Sequence, residues 1–133
     1  RFVKFGGGVS TEQVEWLDRE LGVCKTNGEK AIICSHLCIH PQTCVPTCLL
    51  YNYDDVLHVL HRYAPDVVIA TFAGHAHHNG YYQDEFGIHH RVCEAVLETE
   101  PGHDCHGIVH VSDDMIEIRG FGTFASATYN LYS

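Results

Sequence analysis

Three histidines in two short stretches of the sequence are of the type that binds metals. Residues 74–80 read Gly-His-Ala-His-His-Asn-Gly and follow an apolar run, residues 67–72, that is predicted to be a buried strand. Alternate residues of a strand point to the same side, so His75 and His77 at its end can converge on one site or on two adjacent metals. The glycines around them allow the backbone to turn and to approach a ligand closely.

A second apolar run, residues 31–35, ends at His36. Two buried strands that each end in histidine are typical of an α/β site, because ligands bind outside the carboxyl ends of the strands. Neutral imidazole is a ligand for Zn, Mn, Fe and Ni. His36, His75 and His77 are therefore the candidate metal ligands, and one interpretation is a single zinc held by all three with an open fourth position.

The other histidines carry weaker signals. His58 and His61 share one predicted helix and are interpreted as surface or packing residues. His89 and His90 are neighbours on a predicted strand and must point to opposite faces, so that one of them could face the site. The chain has 12 histidines, a number that favours metal binding without locating a site.

Composition limits the class of protein. The chain has 133 residues, 45% of them hydrophobic, which is enough for one domain with a modest core. Its formal net charge of −9 argues against nucleic acid as a partner, since phosphate binding needs a basic face, and against a membrane surface. No transmembrane run and no signal-peptide pattern stand in the sequence.

The seven cysteines are an odd number, and several lie in apolar strand or helix contexts. This pattern favours reduced thiols and a cytoplasmic protein, whereas a disulfide framework would leave one cysteine unpaired. Cys38, Cys44 and Cys48 stand in a long irregular loop, residues 36–50, of a kind that often carries function. Their spacing matches no common zinc pattern.

Two helices and several strands must position these residues. Ser10 and Gln13 form a capping box that starts the first helix, for which Gly22 is a plausible stop. The apolar face of this helix consists of Val14, Leu17 and Leu21. A second helix is predicted between Asn52, which can cap it, and Pro65.

The second half of the chain changes to a pattern of short strands at hairpin spacing. A turn at Asp113 and Asp114 separates the last two, and the tail after Gly120 has no clear period and is expected to be loose or to lie on the surface. The predicted strands span residues 88–92, 95–98, 107–111 and 115–119. The sequence thus predicts an α/β (α+β) protein with an antiparallel second half.

These motifs together resemble a known family. Ser35-His36-Leu37 at a strand end, then a helix, a strand and Gly74-His75-Ala76-His77, is similar to the C-terminal half of the calcineurin-like metallophosphoesterases. The likeness is greatest to the manganese-dependent ADP-ribose/CDP-alcohol diphosphatases and extends over residues 5–120. Further matching stretches are residues 6–10, 12–13, 16–17, 51–53, 80–81 and 86–87.

The resemblance implies a fold and a site. Residues 1–120 are expected to form the C-terminal half of a two-sheet sandwich with flanking helices, and residues 121–133 a tail. Two divalent metals about 3.5–4 Å apart are implied, manganese first, with iron or zinc as alternatives. His36 and His75 look like ligands of one metal and His77 like a ligand of the other. The implied reaction is hydrolysis of a phosphoanhydride in an ADP-ribose or CDP-alcohol type of nucleotide.

The resemblance also implies that part of the site is elsewhere. In the family an Asp-x-His strand end, Gly-Asp-x-x-Asp and Gly-Asn-His-Asp/Glu precede this region and supply the bridging carboxylate, and none of them precedes His36 here. Asn79 also stands where relatives usually have glycine. We therefore expect no catalytic residue in this half, exposed apolar strand edges, and an inactive isolated chain.

Two hypotheses follow from the incomplete motif set. In the first, the N-terminal half of the same protein or a partner chain completes a nucleotide-hydrolysing site. In the second, the chain is a non-catalytic structural subunit of an assembly and keeps vestigial metal ligands. The presence of all three histidines favours the first, and the missing motifs favour the second.

Overall fold

The computed structural model describes residues 5–131. In this range the chain forms two α-helices, α1 (Thr11–Asn27) and α2 (Tyr53–Tyr63), and seven strands. The strands are β1 (Ala31–Ser35), β2 (Val68–Ala73), β3 (Gly80–Gln83), β4 (His89–Val92), β5 (Cys105–Val111), β6 (Met115–Gly122) and β7 (Ala127–Asn130). Three short 3-10 helices span Pro41–Thr43, Pro46–Cys48 and Val96–Glu98. No helix within the described residues is long and apolar enough to cross a membrane.

The first sheet has the strand order β1-β2-β4-β3. Its first three strands in that order are parallel, and β3 runs antiparallel to β4. Ser35 pairs with Ala73, so β1 and β2 end side by side. The residues that follow them, His36 and Gly74, are therefore neighbours at one edge of the sheet.

The second sheet is an antiparallel meander with the order β5-β6-β7. It packs on the first sheet through Ile116 and Ile118, which lie in one cluster with Ile69 of β2. Val68, the preceding residue, lies in the cluster with Leu60 of α2 and with α1. Because adjacent strand residues face opposite sides, the first sheet lies between the helices and the second sheet. The predicted two-sheet arrangement with flanking helices is confirmed.

Helix α1 begins as predicted but ends later. Ser10 accepts a hydrogen bond from the Gln13 backbone N–H, and the Gln13 side chain accepts one from the Ser10 N–H. The predicted stop at Gly22 is wrong, because the helix continues to Asn27 and is capped by Gly28 at φ 70°. Glycine within a helix costs only about 1 kcal/mol, and Gly28 is the residue that adopts the left-handed conformation.

The second helix begins after Asn52 as expected, but not through the predicted cap. The Asn52 side chain instead binds the backbone of Val9, accepting from its N–H at 3.0 Å and donating to its carbonyl at 3.1 Å. This side chain therefore fixes the segment before α1 against the start of α2. The long loop 36–50 also has more order than expected, since Pro41 and Pro46 each start a 3-10 helix.

The second half of the chain differs from the prediction in three places. Residues 95–98 form a 3-10 helix with a Glu98 N–H to Ala95 carbonyl hydrogen bond of 3.1 Å rather than a strand. Strand β3 was not predicted. The expectation of a loose tail is also wrong for the described residues, because β6 continues to Gly122 and β7 pairs with it and buries Tyr129.

Candidate metal site

The parallel pairing of β1 and β2 brings His36 and His75 together. His36 directly follows Ser35, and the Gly74 N–H donates to the His36 carbonyl at 3.1 Å, which holds the two strand-end loops side by side. The next residue, His75, then points its ring at His36, with Nδ1 of His75 3.1 Å from Nε2 of His36. The ring centroids are 5.0 Å apart at an interplanar angle of 74°.

The backbone of the second stretch differs from the strand geometry that the sequence predicted. Strand β2 ends at Ala73, and His75 and His77 both have left-handed backbones, at φ 62° and φ 60°. Such conformations are uncommon for residues other than glycine and cost of order 1–3 kcal/mol each. The directions of the two rings therefore do not follow from the alternation of a strand. They follow from the left-handed backbones of His75 and His77, on either side of Ala76.

His77 lies apart from the other two candidates. Its Nδ1 is 3.0 Å from Oε1 of Glu98, on the 3-10 helix that precedes β5. The ring nitrogens of His36, His75 and His77 do not all lie within 4.8 Å of one another. In this arrangement the three histidines therefore do not form the compact group that a single zinc would require, and the interpretation of one zinc held by all three stays a prediction.

Two cavities adjoin these histidines. An apolar cavity of about 350 Å³ lies between α1 and β1, with His36 at its margin and Trp16, Leu17 and Ile33 in its wall. A smaller cavity of about 170 Å³ is lined by His77, Glu94, Ala95, Glu98, Thr99 and Thr123. Oε2 of Glu94 is buried without a hydrogen-bond partner, so a carboxylate oxygen beside His77 remains unsatisfied in this structure.

A second group of histidines surrounds the buried carboxyl of Asp84. The Nε2 atoms of His61 and His90 lie 3.1 and 3.0 Å from Oδ2 of Asp84. The ring of His40 lies next to that of His90, with centroids 4.6 Å apart and an interplanar angle of 32°. Burial alone would raise the pKa of Asp84, but hydrogen bonds from His90 and the Ile88 N–H outweigh it and hold the pKa below its usual value. Burial lowers the pKa of His40.

Sequence patterns predicted this group only in part. His89 and His90 do point to opposite faces: His89 contacts the Tyr81 hydroxyl at 2.9 Å, on the side of Tyr129, and His90 contacts Asp84. His61 is a packing residue as predicted, stacked on Phe86. Neither His40 nor Asp84 stands in a recognisable motif, because the residues that meet here come from distant parts of the chain.

The cysteines are free thiols. All seven are unpaired, as the sequence predicted. Burial raises the pKa of Cys38 to about 12, with a further contribution from its contact with Cys44. That Cys38, Cys44 and Cys48 are not a zinc knuckle stays a prediction.

Comparison with known proteins gives relatives of one kind. No protein-family model matches the chain. A manganese-dependent ADP-ribose/CDP-alcohol diphosphatase of Homo sapiens is 43% identical over 122 residues, which cover 92% of this chain and 35% of that protein. The protein of the same name from Arabidopsis thaliana is 36% identical over 129 residues, or 97% of this chain and 41% of that protein.

The fold has a solved counterpart. The crystal structure of a dimetal phosphatase from Danio rerio matches with a TM-score of 0.91 and 36% sequence identity, covering 100% of this chain and 41% of that one. The chain thus spans only about a third to two fifths of the length of the proteins it matches. It is homologous to that portion of the manganese-dependent ADP-ribose/CDP-alcohol diphosphatases, and the resemblance predicted from its residues is confirmed.

Proposed function

We propose that this chain supplies part of a metal site that hydrolyses the phosphoanhydride of a nucleotide such as ADP-ribose or a CDP-alcohol. The observation that carries the proposal is the distance of 3.1 Å between His36 Nε2 and His75 Nδ1 at the ends of two parallel strands. The names of the relatives support the substrate class and manganese, and the dimetal phosphatase supports the use of metal.

The histidine pair fits a metal ion by its donor chemistry. Two ligand nitrogens at about 2.0–2.1 Å from one ion, separated by an angle between square and tetrahedral, lie about 2.9–3.4 Å apart. His36 and His75 have this spacing, and both are partly exposed, so an ion can reach them. Without a metal ion, one ring must donate a hydrogen bond to the other. With a metal ion bound, both nitrogens can present lone pairs to it.

The contact of His77 with Glu98 selects which of its nitrogens can bind. An ionised Glu98 only accepts hydrogen bonds, so the proton of neutral His77 sits on Nδ1 and the lone pair on Nε2. Metal-binding histidines commonly donate their second N–H to a carboxylate in this way. We assign His77 Nε2 to a second metal and Glu98 to the orientation of the ring.

The remaining ligands must come from outside the described residues. Within residues 5–131, neither the His36 and His75 pair nor His77 has enough carboxylate or histidine neighbours to form a compact group of three. A divalent ion with two protein ligands binds weakly and cannot clamp two phosphate oxygens. We therefore propose that the isolated chain is inactive and that the portion of the relatives it does not match completes the site.

When bound, the metals would act as Lewis acids that polarise the phosphoryl group and lower the pKa of a bound water. The chain's own residues fix the positions of the candidate ligands. The Gly74 N–H to His36 carbonyl bond fixes the distance between the loops, and the left-handed backbones of His75 and His77 turn their rings out of the strand direction. The cavity beside His36 is lined mainly by apolar side chains.

The test is complementation. The 133-residue chain is assayed with ADP-ribose and Mn²⁺, alone and after co-expression with the part of the human relative that it does not match. The full human protein split at the same point is the positive control. We expect turnover only from the complemented pair. His36→Ala or His75→Ala should abolish this turnover, whereas His58→Ala, at an exposed residue of α2, should leave it unchanged.

Turnover by the chain alone, or by a complemented pair without His36 and His75, would contradict the proposal. An assembled pair without turnover, when the split human protein is active, would favour the second hypothesis of a structural subunit. That hypothesis is supported by the exposed apolar side chains of β5, where Ile108, Val109 and Val111 are 43–55% accessible. Metal content and intact mass of the natively purified protein provide an independent check.

A further inference from the structure

Three buried side chains of metal-binding type meet outside the site described above. They are His40, Asp84 and His90, and we refer to them as the buried triad. One ligand atom from each lies within 4.8 Å of the others, and within the described residues this is the one such group. His40 precedes the first 3-10 helix, Asp84 lies in the turn after β3, and His90 is on β4.

Asp84 is fixed in place by the backbone of its own turn. Its Oδ1 accepts hydrogen bonds from the N–H groups of Phe86 at 3.0 Å and Ile88 at 2.8 Å. Its side chain has 0% exposure, and Oδ2 points at His61 and His90. A buried carboxylate needs a compensating charge, and a metal ion would supply it more fully than two neutral imidazoles.

His90 already has the arrangement of a metal ligand with an outer partner. Its Nδ1 is 2.9 Å from the Thr71 hydroxyl. Without a metal, Nε2 carries the proton that it donates to Asp84; with a metal on Nε2, the proton would move to Nδ1, where the Thr71 hydroxyl can accept a hydrogen bond from it. Nε2 is 3.0 Å from Asp84 Oδ2, which is within the spacing of about 2.9–3.4 Å expected for two ligands of one ion. Such outer hydrogen bonds orient metal-binding histidines.

His40 would also have to change its tautomer. Its ring lies between Tyr82 and His90, with both centroid distances 4.6 Å. Its Nδ1 accepts from the Gln42 N–H at 3.2 Å, so neutral His40 carries its proton on Nε2. Coordination through Nε2 would move the proton to Nδ1 and break this hydrogen bond, which is long and therefore weak.

We propose that the buried triad binds a divalent transition metal, zinc by its ligand chemistry, at a place separate from the His36 and His75 site. Two histidines and one aspartate are ligands that Zn²⁺ accepts in a compact buried position. The ion would fasten the loop 36–50 to the turn after β3 and to β4. The buried triad lies apart from the His36 and His75 site. Thr71, which pairs with His90, precedes Gly74 by three residues, or roughly 10 Å of strand.

The test starts from a chain carrying His36→Ala, His75→Ala and His77→Ala, so that the three strand-end histidines no longer contribute to metal binding. Zinc binding is measured by competition with a chromogenic chelator, and Co²⁺ is used as a spectroscopic probe of nitrogen and oxygen ligands. We expect stoichiometric binding of both ions. Added Asp84→Asn or His40→Gln should weaken zinc binding at least about tenfold, and His58→Gln should change nothing.

Circular dichroism before and after chelation separates loss of binding from loss of folding. His40→Gln is the safer variant, because His40 lies at the border of the buried class with 9% exposure, whereas His90 is fully enclosed. The proposal is overturned if the triple variant binds neither ion, or if binding survives both Asp84→Asn and His40→Gln in folded protein. In that case the triad is a hydrogen-bonded cluster that needs no metal.

Discussion

At the level of single residues, His77 is oriented by a contact with a distant part of the chain. Glu98 is bound to His77 Nδ1 although its side chain is 62% exposed, so the contact contributes little to stability. In the proposed site, Glu98 determines instead which nitrogen of His77 carries the proton and in which direction the ring points. Asp84 is the opposite case, a fully enclosed carboxyl that joins two histidines and two backbone N–H groups.

Replacing Glu98 should therefore affect metal binding rather than folding. In the complemented enzyme, we expect Glu98→Gln to raise the Mn²⁺ concentration for half-maximal activity by about 10–100-fold, because the amide can donate to Nδ1 and no longer selects the tautomer. The melting temperature of the chain should stay unchanged. Glu100→Gln, an exposed neighbour, is the matched control. Equal Mn²⁺ dependence in the two variants would argue against the assignment.

Replacing Asp84 should affect stability, and in a pH-dependent way. With chelator present, we expect Asp84→Asn to lower the free energy of unfolding by about 2–3 kcal/mol at neutral pH, as charge-assisted buried hydrogen bonds are lost. The folded-state pKa of Asp84 lies below its unfolded value. The stabilisation is therefore complete above the unfolded pKa of about 3.9 and is lost as pH falls through the folded pKa.

Urea unfolding of the wild type and Asp84→Asn across this pH range measures the difference directly. The two curves should converge at acid pH. A difference that stays constant down to the acid limit would show that Asp84 acts through packing and not through its charge. Asp66→Asn, at an exposed position before β2, provides the control for a change in net charge.

At the level of elements, the sequence predicted the structure correctly where residues adjacent in the chain determine it. The capping box starts α1 at the predicted residue, because Ser10 and Gln13 satisfy each other's backbone N–H groups. The short strands β3 and β7 have no such signal. Each has four residues and exists because a longer-range partner, β4 or β6, provides its hydrogen bonds.

A hydrogen bond between side chains joins the two helices, and removal of one hydroxyl group eliminates it. The Tyr63 hydroxyl of α2 donates to Oδ1 of Asp18 on α1 at 2.7 Å, and Arg62 pairs with the same oxygen at 2.7 Å. We expect Tyr63→Phe to lower the free energy of unfolding by about 1 kcal/mol. Chemical denaturation measures it, and Tyr51→Phe, at a side chain 58% exposed, should have no effect.

A loss from Tyr63→Phe that persists in an Asp18→Ala background would mean that the effect does not come from the Asp18 carboxylate, since the Tyr63 hydroxyl also donates to the Asp18 backbone carbonyl at 3.0 Å. The double-mutant cycle isolates the pair, because residues in direct contact do not behave additively.

At the level of the whole molecule, the sandwich leaves apolar surface uncovered. β1 is an outer strand of its sheet, and the cavity between it and α1 is open and lined by apolar side chains. Trp16, the chain's one tryptophan, is 55% exposed there. Exposed strand edges of this kind are sites where another chain or segment pairs, which agrees with a chain that matches only part of its relatives.

Trp16 can report whether the remaining portion of a relative covers this surface. We expect the isolated chain to show tryptophan emission accessible to a soluble quencher, and addition of the complementary part of the human protein to shift the emission to shorter wavelength and protect it. Unchanged quenching in an assembled complex would place the partner on another face. His36→Ala should not alter the shift, since it removes a candidate ligand and not the apolar wall.

The sequence alone determined the buried strands, the start of α1 and the positions of the three candidate histidines at strand ends. These depend on periodicity and neighbouring residues, which act over a few positions. Only the tertiary structure decided that His36 meets His75 while His77 turns to Glu98, and that His40, Asp84 and His90 gather in the interior. Those contacts depend on strand pairing and on loops packed from distant parts of the chain, for which no local pattern exists.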